Sequence, residues 1–182
     1  MGGRMKKSAV VALGGITGAL SLLCLFLSFL PASEYMMPML AGMLLLPITA
    51  ECGKRQGVLV YATVALLALF LTPSLESRVL YAAFFGYYPV LKAVFEEKLP
   101  RVPELLCKML LFNAVICASY WLMLRFFGLD PAVFEIGGHN LPLVLLAVGN
   151  GIFLMYDRLM TILVTLYWRR LHGVFARLFS GR

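Results

Sequence analysis

The chain has 182 residues and a net charge of +7, with 62% hydrophobic and 14% charged residues and a mean hydropathy of +0.89. A soluble domain is about 45–50% apolar, so too few polar residues remain here to cover a water-facing surface, and lipid must be the solvent for most of the outside. The basic excess is no nucleic-acid signature, because the Lys and Arg residues lie in short links between apolar runs and form no basic patch within a recognisable module.

Six apolar runs predict an all-α, polytopic integral membrane protein: one membrane domain over 1–182 with six transmembrane helices. The first, 8–30, follows Arg4, Lys6 and Lys7 and ends near Pro31-Ala32-Ser33, which imitates a cleavage site. It is about twice the usual signal h-region of about 7–15 residues and long enough to span, so it is expected to stay as a helix. Ser8, Ala12, Gly14, Gly15, Gly18 and Ala19 place small residues one turn apart on it. Such spacing lets another helix approach closely, either from the same chain or from a separate membrane partner. An irregular outward link, 31–38, carries Glu34 and Tyr35.

The second helix, 39–50, contains Pro47; the polar link 51–56 carries Lys54 and Arg55; and the third helix, 57–71, stops at Thr72-Pro73-Ser74. The second to fourth helices fall short of the roughly 20 residues of a straight span. They can cross by snorkelling or bilayer thinning, or the second and third can form a re-entrant hairpin buried in protein. In the fourth helix, 79–95, Tyr81, Phe84, Phe85, Tyr88 and Lys92 share one face. Pro89 removes a backbone donor there, frees a carbonyl near Phe85 and favours a kink. That face reads either as the wall of a ligand pocket or as aromatic core.

A charged link, 96–103, leads to the fifth helix, 104–127, with Trp121 near its outward end. The outward link 128–140 holds Glu135, His139 and Asn140, candidates for a lid. The sixth helix, 141–168, carries Asn150, Asp157 and Arg158, and a basic amphipathic tail, 169–182, includes His172. An ionisable group inside a span costs about 2.5–3.5 kcal/mol on insertion scales and is usually paired or lines a cavity. Lys92 and Asp157 are the expected pair, with Arg158 reaching for the interface.

The charges give the orientation. With six spans, Arg4, Lys6, Lys7, Lys54, Arg55, Lys98, Arg101, Lys108, Arg169, Arg170, Arg177 and Arg182 fall on one side, and Arg78 and Arg125 on the other. Twelve against two is the positive-inside bias, which predicts that both termini are cytoplasmic in a cell (plasma) membrane. Cys24, Cys52, Cys107 and Cys117 form no metal-ligand spacing, so neither metal nor disulfide is expected. No phosphate loop, nucleophile elbow or zinc-protease motif is present, and the chain is expected to be no enzyme and to hold no cofactor.

Six short helices with both ends inside, a small-residue first helix, a long first outward link and an aromatic fourth helix resemble the S components of energy-coupling factor transporters, over about 6–168. The resemblance implies a substrate-binding membrane subunit for vitamin-like micronutrients, working with a coupling subunit, on which the first helix docks, and two ATPases. It nominates Glu34, Tyr35, Tyr81, Phe85, Tyr88, Trp121, His139 and Asn150 as substrate-binding residues. The family often carries Ala-x-x-x-Ala on the first helix; here the equivalents are Ser8-x-x-x-Ala12, Gly14-x-x-x-Gly18 and Gly15-x-x-x-Ala19. A non-enzymatic membrane scaffold similar to the cell-shape family MreD is the competing reading. It predicts partners on the first helix or the tail and no small-molecule ligand.

Overall fold

A computed structural model describes residues 7–30, 33–126 and 141–171. The described residues form eight α-helices joined by short turns: α1 Lys7–Phe26, α2 Ser33–Met43, α3 Leu46–Cys52, α4 Lys54–Leu71, α5 Leu75–Leu80, α6 Tyr88–Lys98, α7 Arg101–Phe126 and α8 Leu141–Leu166. A 3-10 turn, Leu27–Phe29, extends α1, and π turns at Tyr81–Phe85 and Tyr167–Leu171 follow α5 and α8. Among the described residues, five stretches are long and apolar enough to cross a membrane: Lys7–Phe29, Ser33–Cys52, Lys54–Leu71, Arg101–Leu122 and Leu146–Arg170. The protein is therefore a multi-pass helical membrane protein in contact with the lipid bilayer. The predicted fourth span, 79–95, is not among the five, because the π turn and the turn at Gly86–Tyr87 break it into pieces shorter than a span.

Two predicted links are helical. The stretch 31–38, expected to be irregular, belongs from Ser33 to α2, with Pro38 inside the helix. Proline at that position leaves the carbonyl four residues earlier without its donor. That carbonyl is Glu34 O, and the Ser77 hydroxyl donates to it at 2.7 Å, so the helix tolerates its proline. The link 51–56 shrinks to one residue, Gly53, between α3 and α4. Its φ of 88° lies in the left-handed region that glycine enters at no steric cost. Pro47 sits in the first turn of α3, where its missing donor is harmless.

The chain divides into two compact units, one of residues up to Val94 with those from Leu159 onward, the other Phe95–Arg158. In the first, Leu13, Leu25, Ala41, Leu45, Ile48, Val64, Ala68 and Tyr81 form the core. Gly14 faces Val60 and Gly18 faces Val64, so α1 and α4 run parallel. Ser21 donates to Ala41 O at 2.8 Å while Gly14 nears Ile48, so α2–α3 runs antiparallel to α1. Each of these segments runs along the length of α1. The second and third predicted helices thus belong to two stretches of opposite direction, each long and apolar enough to cross a membrane. Tyr167 donates to Glu51 Oε1 at 2.7 Å and ties the second π turn to the end of α3.

In the second unit α7 and α8 are antiparallel: Lys108 meets Asp157, Phe112 meets Phe153 and Asn113 meets Asn150.

Candidate functional site

The aromatic segment after α5 departs from regular α-helical backbone. Ser74 caps α5 by accepting from Ser77 N at 3.3 Å, so the helix starts at Leu75 and not near 79 as expected. It then loosens: Gly86 N donates to Tyr81 O at 2.9 Å, an i→i+5 bond. In an α-helix that amide would serve Ala82 O. The carbonyl so released accepts from the Tyr61 hydroxyl at 2.6 Å. Pro89, which has no amide to offer Phe85 O, removes the next rung. The predicted kink is therefore a break spread over 81–87, starting upstream of the proline. Single π turns of this kind occur frequently at functional sites.

Tyr81, Phe84, Phe85, Tyr88 and Lys92, predicted to share a face, are all buried. Tyr61 packs on Tyr81 and Tyr87 with ring centres 6.1 and 5.7 Å away, and Phe84 lies 5.0 Å from Tyr88. The face is a closed aromatic core as described, not an open wall. Yet the Tyr81 hydroxyl, on a residue 0% exposed, finds no hydrogen-bond partner. A buried polar group left unpaired costs about 1–3 kcal/mol, and such a group calls for a reason.

The other nominated residues scatter. Glu34 and Tyr35 lie in the first turn of α2, which packs against α5 and the π turn, so they share the first unit with the aromatic break. The Tyr35 ring is 57% exposed. Trp121 on α7 is 59% exposed, as befits an aromatic at a lipid or interfacial surface. His139, Glu135 and Asn140, like the tail from His172, lie outside the described residues. Asn150, half-buried, is engaged elsewhere, as shown below.

The small residues of α1 divide into two rows. Gly14 and Gly18 face α4: a Cβ on Gly14 would stand 3.2 Å from Val60 Cγ2, and one on Gly18 3.4 Å from Val64 Cγ2. Their use is packing within the chain. Ser8, Ala12, Gly15 and Ala19 recur at i, i+4, i+7 and i+11 and are exposed, with nothing within 4 Å of a Cβ at Gly15.

The second unit contains a polar seam that sequence reasoning missed. Lys108, counted above among the link charges, is 0% exposed. Its ammonium donates to Glu104 Oε1, to Asp157 Oδ1 at 3.1 Å and to Glu96 Oε1 at 3.4 Å. Asp157 thus has Lys108 as a partner within the second unit. Lys92 is buried in the first unit, and Arg158 is exposed. Next along the seam, Phe112 and Phe153 stack at 4.6 Å. Asn113 and Asn150 then exchange two hydrogen bonds of 2.9 Å, each amide also donating to the carbonyl one turn back in its own helix. Both N–H groups of Asn150 are therefore in use. The signal in the sequence was Glu104-x-x-x-Lys108 followed by Asn113: an acid–base pair one turn apart and an amide, all inside apolar sequence.

The amide pair makes a measurable prediction. Asn113→Leu strands Asn150 and is expected to lower stability in detergent by about 1 kcal/mol, within the range for interhelical hydrogen bonds in membrane proteins. The double variant Asn113→Leu/Asn150→Leu should recover most of the loss in a thermal melt. A double variant no more stable than the worse single one would deny the coupling.

A comparison with protein-family models, with curated proteins and with solved structures finds no match to this chain.

Proposed function

We propose that the chain is the substrate-binding membrane subunit of a micronutrient uptake transporter, working with separate coupling and ATPase subunits. The observation that carries this reading is the interrupted aromatic segment with the unpartnered Tyr81 hydroxyl at its core. Non-helical backbone at membrane depth is tolerated where it is buried in protein or lines a cavity, and transporters build binding sites from discontinuous helices. A vitamin-sized ligand reaching Tyr81 would give that hydroxyl its missing partner, which requires the closed ring cluster that includes Phe85 and Tyr88 to open around it. Glu34 and Tyr35, at the end of α2 that meets α5, stand as entrance residues.

The orientation belongs to the same reading. With Lys108 withdrawn into the second unit, the remaining link charges still crowd one side of a six-span arrangement, which supports cytoplasmic termini in the plasma membrane. It requires the interrupted 75–98 stretch to cross as well, sheltered by its neighbours. The scaffold reading of the MreD type is favoured by the exposed row Ser8, Ala12, Gly15 and Ala19, which leaves room for a partner helix.

Mass spectrometry of small molecules released from the purified, denatured protein separates the two. The transporter reading expects a retained vitamin-sized compound. Tyr81→Phe should reduce its retention about tenfold, the equivalent of one lost hydrogen bond near 1.4 kcal/mol. A blank accompanied by co-purifying envelope proteins would favour the scaffold.

A further inference from the structure

An open groove of about 480 Å³ runs between α1 and α4. Val10, Val11, Gly15, Ala19 and Leu22 line one side, and Gln56, Leu59, Thr63 and Leu67 the other. Because the two helices are parallel, the groove has two unlike ends. At the end where both helices begin, Lys7 stands one turn before the lining residue Val11, and Arg55 one turn before the lining residue Leu59, just beyond the lined stretch. Lys54 adjoins Arg55, and the Gln56 amide lines the same mouth. Toward Leu22 and Leu67 the lining is wholly apolar.

The two unlike ends select the occupant. From Val10 to Leu22 the groove extends twelve residues, about 18 Å at 1.5 Å per residue, the reach of an extended hydrocarbon chain. The length also matches one leaflet, since half of a bilayer's hydrocarbon core is about 15 Å. Cations at the mouth and hydrocarbon along the rest are complementary to an anionic headgroup carrying an acyl chain.

We propose that the α1–α4 groove is a binding site for one anionic phospholipid, its acyl chain laid along Gly15, Ala19 and Thr63 and its phosphate held by Lys7 and Arg55. The site stands on membrane insertion alone and is independent of the micronutrient reading. Gly15 keeps the α1 side of the groove open, and a larger side chain there would fill the space without touching the core.

Native mass spectrometry tests this on protein taken from vesicles of phosphatidylglycerol and phosphatidylcholine at a molar ratio of 1:4. The expected spectrum shows one phosphatidylglycerol retained per chain. Gly15→Leu should lower the retained fraction at least tenfold while leaving the melting temperature unchanged or higher. Lys7→Gln/Arg55→Gln should abolish the preference for the anionic lipid. Equal retention by Gly15→Leu, or no preference between the two lipids in the unaltered protein, would overturn the proposal. So would a Val11→Cys thiol that crosslinks to a second protein in the native membrane and leaves no lipid in the groove.

Discussion

Lys108→Met is expected to destabilise the protein by about 3–5 kcal/mol, the usual cost of removing one partner from a buried ion cluster. The ammonium is fully enclosed, and Glu104, Asp157 and Glu96 converge on it with side chains 16%, 14% and 38% exposed. Without it, Glu104 and Asp157 remain as two poorly solvated carboxylates facing each other, which must take up protons or force water into the unit. Lys108→Met/Asp157→Leu removes the charge together with the partner most distant in sequence. It should regain part of the loss, because residues in one network couple by about 0.5–3 kcal/mol. Thermal melting of detergent-solubilised protein reads both. An unchanged midpoint in Lys108→Met would show that the cluster contributes nothing to the fold.

Gly86→Ala is the second large effect, and its sign is the informative part. Gly86 has φ −67°, an ordinary helical value, so helix propensity alone expects alanine to stabilise by about 1 kcal/mol. Packing expects the reverse. The new Cβ would lie 2.5 and 2.7 Å from Tyr61 Cδ2 and Cε2 and 2.9 Å from Tyr81 Cε1. Tyr61 cannot swing away without abandoning Ala82 O, the carbonyl released by the π turn. Overpacking of this kind costs about 1–3 kcal/mol, and a lower melting temperature is the expected result. A rise would mean that the ring is free to move and that the π turn is not fixed by Tyr61. If the aromatic break binds a micronutrient, Gly86→Ala should also reduce its retention.

The membrane character was legible because it is a bulk property: apolar runs about 20 residues long, with charges confined between them, need no tertiary information. The interruption of the fourth helix was half legible. Pro89 announces a missing donor, but the break begins at Tyr81 because Tyr61, twenty-one residues away, is placed to accept responsibility for Ala82 O. The helix over 33–38 was illegible for a similar reason. Pro38 reads as the end of a link until Ser77, forty-three residues beyond Glu34, supplies a hydroxyl to Glu34 O. Lys108 was misread because its position near the start of α7 suggested a headgroup-level charge. The carboxylate one turn before it and the one on α8 turn it inward. In each case a partner distant in sequence changed the meaning of the local pattern. The small residues of α1 show the opposite limit: their spacing was visible, but the division into a packed row and an exposed row depends on where α4 lies.

The ion cluster also has a history within each molecule's synthesis. Lys108 and Asp157 are 49 residues apart in sequence, and ribosomes add about 5–20 residues per second. For roughly 2–10 s after Lys108 is made, its tightest distant mate does not exist. Glu104, made four residues earlier and one helical turn away, is the carboxylate that can accompany the lysine through that interval, with Glu96 a few residues before it. The same acid–base pair that anchors the finished unit is thus available as an escort, neutralising α7 while it enters the bilayer and waits for α8.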